Sequence, residues 1–239
     1  MEIVTVVLTA LIAGGIAGSL INVIATRLPA EGDPAIIGPP FRPGTATPDS
    51  FALVPYLGAW QQVRDRLDWP KLATDLGAAA VVAISLIRYD FSFDALRAAV
   101  FALALLIILR IDWQNHLIFS ITILPAIIVA LAFQAYSSFD ELVWSLGAMF
   151  GAGLLFLFLF VLAILMYGKR ALGLGDIWLA ALIGAMTGEN VIAAIVIGMF
   201  LAGFGGLFLI LIRVRSRTDY IPYGAYLCLG AIVTVLLLA

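Results

Sequence analysis

From Ile3 to Thr26 the chain carries no charged residue, and long apolar runs recur from there to its end. About 20 mostly apolar residues suffice for an α-helix to cross the hydrocarbon core of a bilayer. That pattern fixes the expected fold class: all-α, a polytopic membrane helix bundle. Composition agrees, with 64% hydrophobic and 12% charged residues in 239 and a mean hydropathy of +1.13. A soluble domain carries roughly 25% charge. The net charge of −2 argues against a nucleic-acid partner. The single cysteine, Cys228, excludes an intrachain disulfide framework and any multi-cysteine zinc site.

The pattern predicts about eight transmembrane helices, over 3–26, 72–88, 94–111, 117–136, 142–166, 175–188, 190–212 and 221–238. The second and sixth are short, and Pro125 interrupts the fourth. The organisation is then a first transmembrane helix (1–26), one loop region (27–71) and a membrane core (72–239). The loop region holds eight of the ten prolines when Pro29 and Pro70 are included. Turns and extended pieces are expected there, with a short amphipathic helix from near Asp49 and Ser50 through Trp60 and Val63. The first apolar run precedes Arg27 rather than following a basic segment. It therefore reads as an uncleaved anchor with its N-terminus outside, not as a signal peptide.

Basic residues orient the spans. Lys and Arg mark cytoplasmic loops, and an outside N-terminus puts the loops after spans 1, 3, 5 and 7 in the cytoplasm. Those loops and their flanks carry Arg27, Arg42, Arg64, Arg66, Lys71, Arg110, Lys169, Arg170, Arg213, Arg215 and Arg217. Only Arg88 and Arg97 fall on the other side. Gly14 and Gly18, Gly147 and Gly151, and Gly184 and Gly188 have the i, i+4 spacing of close helix–helix contacts.

Two acids stand out against this background. Asp112 closes one apolar run and Asp176 opens another, both on the cytoplasmic side of the topology. A carboxylate at membrane depth costs roughly 2.5–3.5 kcal/mol on insertion scales, so a chain that keeps one gives it work or a partner. For Asp112 the plain alternative is a helix-end carboxylate paired with Arg110 or solvated at the interface. For Asp176 it is a cap on the following helix. Gly173 and Gly175, just ahead of Asp176, permit close backbone approach and a loose helix start, which gives a peptide substrate access. Asn22, deep in the first span, could bind a substrate backbone or make an interhelical hydrogen bond. His116 lies four residues after Asp112, where proton traffic and a plain interfacial position are both open.

Four segments in order resemble the type IV prepilin peptidases, the GxGD membrane aspartic proteases of family A24. They are Gly18 to Pro29, Asp112 with Leu117 and Thr122 to Pro125, Gly173 to Asp176, and Ile221 to Gly224. The resemblance implies an aspartic endopeptidase that cuts the short basic leader from prepilins or pseudopilins, at the cytoplasmic face of the bacterial inner membrane. Asp112 and Asp176 would be the catalytic pair, and 72–239 the protease core. Asn22, Arg27 and Lys169 would be candidates for contact with substrate. Many bacterial members also methylate the new N-terminus with S-adenosylmethionine. Many also hold two CxxC pairs in the first loop, which suit zinc. The loop 27–71 has no cysteine, so no cysteine zinc site is expected, and methylation stays open. Trp178 stands where members usually carry a lysine, and Phe119-Ser120 replaces a common proline–aspartate pair.

The implied mechanism needs no metal and no nucleophilic side chain. One aspartate acts as general base on a water and the other donates to the scissile carbonyl, the pair sharing one proton. The bilayer itself is a partner, because the substrate's apolar helix partitions into it. Two rival readings are a proton-coupled secondary transporter using intramembrane acids, and an inactive relative that only binds pilin-like helices. No repeat relates the two halves, which weighs against the transporter. The sequence leaves the oligomeric state open.

Overall fold

The computed structural model describes residues 3–27, 69–115, 120–167, 173–211 and 223–238. Every regular element among them is helical. The first span is α1 (Ile3–Thr9), a π-helical segment (Ala10–Gly14) and α2 (Gly15–Arg27). Then follow α3 (Trp69–Tyr89), α4 (Phe93–Asn115), α5 (Ser120–Ser137), α6 (Phe139–Tyr167) and α7 (Leu174–Thr187). A 3-10 turn (Gly188–Asn190) leads to α8 (Val191–Leu211), and α9 (Tyr223–Leu237) ends the series. Among the described residues, four stretches are long and apolar enough to cross a membrane: Val4–Ala25, Trp69–Tyr89, Phe139–Met166 and Leu174–Phe208. The expected amphipathic helix near Asp49, together with His116, Lys169 and the Arg213 to Arg217 cluster, lies outside the described residues.

The chain divides into two compact units, Met1–His116 and Leu117–Ala239. In the first, α3 packs against both α2 and α4. Val6, Ala10, Val82, Leu86 and Ala95 form its apolar cluster. The turn from α3 to α4 uses Asp90 at φ 52°, a left-handed conformation that Asp tolerates better than most residues. Ser92 Oγ then accepts the Ala95 N–H at 3.2 Å and caps α4. Arg97 and Asp94 pair at 3.2 Å on the exposed side of that helix, an arrangement of little energetic weight.

In the second unit α6 packs along α7, α5 touches both, and α9 packs on α8 and α7. Ser138 Oγ caps α6 by accepting the Glu141 N–H at 3.1 Å. Along α6, Ser145, Ala152 and Phe156 are buried while Phe150, Leu154, Phe158 and Leu165 are exposed. A water-facing helix would be charged on that open face. This one has no charge between Leu142 and Met166, so its outer face suits lipid.

Helix α3 runs 21 residues, about 31 Å at 1.5 Å per residue, so the second span is not short. Its start at Trp69 takes in Lys71 and Asp75, which an apolar window leaves near its edge. Helix α7, with 14 residues, is short as expected. Pro125 does not interrupt α5: it is the sixth residue of the helix, which continues through it. At that position it removes one i→i−4 hydrogen bond, the one to the Ile121 carbonyl, and the helix runs on past it.

The glycine pairs divide. A Cβ on Gly14 would collide with the Ala79 backbone, and one on Gly18 would fall 2.6 Å from Asp75 Cα. These two let α2 and α3 touch backbone to backbone, as their spacing predicts. Gly184 likewise seats on the Ala148 carbonyl. Gly147 and Gly151 face open space instead, and Gly188 turns the chain at φ 51° behind α7. Gly198 and Gly230, which no i, i+4 pattern marks, bring α8 and α9 into backbone contact.

Gly18→Ala should therefore destabilise the first unit. The added methyl meets backbone, which cannot swing aside, and overpacking of this kind costs about 1–3 kcal/mol. Thermal unfolding of the purified protein in detergent should show a lowered midpoint.

Candidate active site

Asp112 lies in the last turns of α4, only 2% exposed, beside Arg110 at 5% and Ile111 at 1%. The neighbouring Trp113 is exposed. Arg110 and Asp112, two residues apart, point to different sides of α4, so this helix end is covered on more than one side while the indole stays open. Arg110 is held from α2: its Nε donates to Asn22 Oδ1 at 3.3 Å. The other end of the same amide is also occupied. Asn22 Nδ2 donates to Asp75 Oδ1 at 3.0 Å and to the Lys71 carbonyl at 3.2 Å. One buried amide therefore ties α2, α3 and α4 together. Asp75 is 2% exposed and Asn22 7%. Isolated burial of a carboxylate or a guanidinium costs several kcal/mol, and shared hydrogen bonds offset much of it.

Asp176 belongs to the second unit and sits in the first turn of α7, 8% exposed. Gly173 precedes the helix with extended backbone at φ −85°, ψ 152°. Its N–H donates to Asp176 Oδ2 at 2.9 Å, while the Asp176 N–H donates to the Gly173 carbonyl at 3.2 Å. The carboxylate thus closes half of a capping box, in a place where the helix dipole favours negative charge. That fixes one oxygen and the orientation of the group. Oδ1 makes no hydrogen bond among the described residues, which leaves a lone-pair face for a water or a carbonyl. A Cβ on Gly173 would lie 3.4 Å from Asp176 Oδ2, nearer than any other described atom. Gly175 is the second residue of α7, and Trp178 is partly exposed one turn on.

Other residues named from the sequence fall as follows. Arg27 ends α2, and Lys169 is outside the described residues. Cys228 is a fully buried small apolar side chain, as expected. No group of three His, Cys, Asp or Glu among the described residues is arranged to hold a metal.

Three participants escaped sequence reasoning. Asp75 was available as a lone acid within an apolar helix, which is itself a functional signal. Arg110 stands in the sequence as a topology marker and a possible partner of Asp112; its bond to Asn22 is not legible there. Tyr223 opens α9 and lies within electrostatic range of Asp176. Gln134 holds the far end of α7, its Nε2 donating to the Ala185 and Met186 carbonyls at 3.4 and 3.3 Å.

Residues 99–211, a span containing both Asp112 and Asp176, match the type IV leader peptidase family. A prepilin leader peptidase/N-methyltransferase of Pseudomonas putida is 28% identical over 166 residues, covering 68% of this chain and 57% of the relative. One of the same description from Pseudomonas aeruginosa is 24% identical over 263 aligned positions, covering 96% of this chain and 90% of the relative. The match thus spans little more than half the length of the first and nearly all of the second. No solved structure matches.

Proposed function

We propose, from the premise that the chain belongs to the type IV leader peptidase family, that it is a prepilin peptidase whose catalytic acids are Asp112 and Asp176. The observation that carries the reading is the burial of both acids at the ends of apolar helices, within the residues that match the family. A carboxylate there has work or a partner, and the cap on α7 engages only one oxygen of Asp176. Asp176, oriented through Gly173, offers one oxygen to the reaction. One acid activates a water by taking its proton, and the other donates to the scissile carbonyl as charge develops on it. No metal and no covalent intermediate is called for.

The substrate is a prepilin or pseudopilin: a basic leader followed by an apolar helix. The chain is a multi-pass protein of the bacterial inner membrane with about eight spans and an outside N-terminus, and cleavage takes place at the cytoplasmic face. Arg27 and Lys169 are placed on that side to meet the flanks of the scissile segment. Methyl transfer from S-adenosylmethionine to the new N-terminus is a second step that the loop without cysteines leaves open.

The test is cleavage of a purified prepilin by the purified chain in lipid. A shortened pilin supports the protease; intact pilin bound to the protein supports an inactive relative; proton flux without cleavage supports a transporter.

Topology is tested separately. Cysteines at Thr45 and Ser137 should label from opposite faces, Thr45 from the cytoplasm. The single native thiol, Cys228, is buried and gives little background. Labelling of both positions from one face overturns the eight-span arrangement.

A further inference from the structure

We infer that Asp75 is a positioning residue for the cleavage reaction: through Asn22 it fixes Arg110, and with it the end of α4 that presents Asp112. The inference rests on the protease reading above. Asp75 Oδ1 accepts from Asn22 Nδ2 at 3.0 Å, and Asn22 Oδ1 accepts from Arg110 Nε at 3.3 Å. Arg110 stands two residues before Asp112 on the same helix, about 3 Å along its axis. Whatever holds the guanidinium therefore holds the backbone that carries the acid. All four side chains are at least nine-tenths buried.

The neighbourhood is shaped to admit this acid. A Cβ on Gly18, one turn before Asn22, would fall 2.7 Å from Asp75 Oδ1. Only a glycine leaves the carboxylate its place between α2 and α3. The charged side chains that bond Asn22 are Asp75 on α3 and Arg110 on α4. Apolar packing of the same volume would hold three helices together at least as well, since buried ion networks bring little net stability. What a directional network adds is a defined position for one helix end, and here that end carries the proposed catalytic acid. A displacement of about 1 Å in a reacting group can cost about 100-fold in rate.

The experiment compares full-length wild type with Asp75→Leu, which keeps the bulk but removes the acceptor for Asn22 Nδ2, Asn22→Ala, Arg110→Gln and the Asp75→Leu/Arg110→Gln double variant. Ser85→Ala serves as control, because Ser85 is buried on the same helix but bonds only its own backbone, at Val81. Prepilin cleavage gives kcat and KM, and thermal unfolding in detergent reports the fold. Asp75→Leu and Asn22→Ala should each lower kcat about 10- to 100-fold, with KM within about threefold of wild type and folding retained. The double variant should be no worse than the poorer single, because the residues act as one unit. Ser85→Ala should keep wild-type kcat. Wild-type kcat in both Asp75→Leu and Asn22→Ala overturns the inference. So does a loss of rate that tracks a lowered unfolding midpoint and recurs in Ser85→Ala. Should one of the two fail to fold, the other decides. A wild type that cleaves no prepilin overturns the protease reading itself, and the inference with it.

Discussion

Asp112→Asn and Asp176→Asn should each reduce prepilin cleavage by about three orders of magnitude or more, and the double variant should be scarcely worse than either. Asparagine keeps the size of the side chain and can still accept a hydrogen bond. At position 176 it can therefore preserve the bond from the Gly173 N–H, now at 2.9 Å, so the start of α7 should stay folded. What it loses is the ability to take up and release a proton. General acid–base chemistry on water needs that ability in one partner, and charge complementarity to the developing oxyanion needs it in the other. Acids acting as a unit are non-additive, and their pH–rate profile reports the pair rather than either member. That profile should be bell-shaped in the wild type. Steady-state cleavage by folded variants checks all of this. Near-normal turnover by either single variant rules out the two-aspartate mechanism.

Gly184→Leu should be the most damaging substitution among the glycines. Gly184 lies in the fully buried face of α7, between Ile183 and Ala185. A Cβ there would run into the Ala148 carbonyl group and come within 2.7 Å of Met149 N. Both are backbone of α6 and cannot rotate away. Helices in lipid gain little from hydrophobic exclusion and depend on such close backbone contact. The loss should reach or exceed the upper end of the roughly 1–3 kcal/mol usual for overpacking. Folded yield and the unfolding midpoint in detergent measure it. Gly147→Leu is the matching control: it lies one residue from Ala148 but faces open space, so its midpoint should hold.

That contrast shows where sequence legibility ends. Gly14 with Gly18 and Gly147 with Gly151 have the same spacing, yet only the first pair packs. Spacing tells that two residues share a helix face, not which face a neighbour covers. In α6 the packed stripe runs through Ser145, Ala152 and Phe156, rotated from the glycines. Asp112 and Asp176 were legible because an acid bordering a long apolar run is expensive wherever it lands. The GxGD spacing was legible too, because glycine before a buried acid has a local effect, seen here as the Gly173 bond to Asp176. Asp75 was harder. Its partner Asn22, and Arg110 which bonds Asn22 in turn, are remote in sequence, and its role arises only where α2, α3 and α4 meet. Pro125 misled for a local reason: a proline reads as a break, but α5 gives up one backbone hydrogen bond there and continues.

The most direct test of the central claim is the mass of a prepilin after incubation with the purified chain in lipid, with and without S-adenosylmethionine. The account predicts a pilin shortened by its basic leader, with the new N-terminus just ahead of the apolar helix, and no such product from Asp112→Asn. A further methyl increment with S-adenosylmethionine would show that the second activity survives without the loop cysteines. A full-length pilin recovered unchanged from folded wild-type protein would contradict the account.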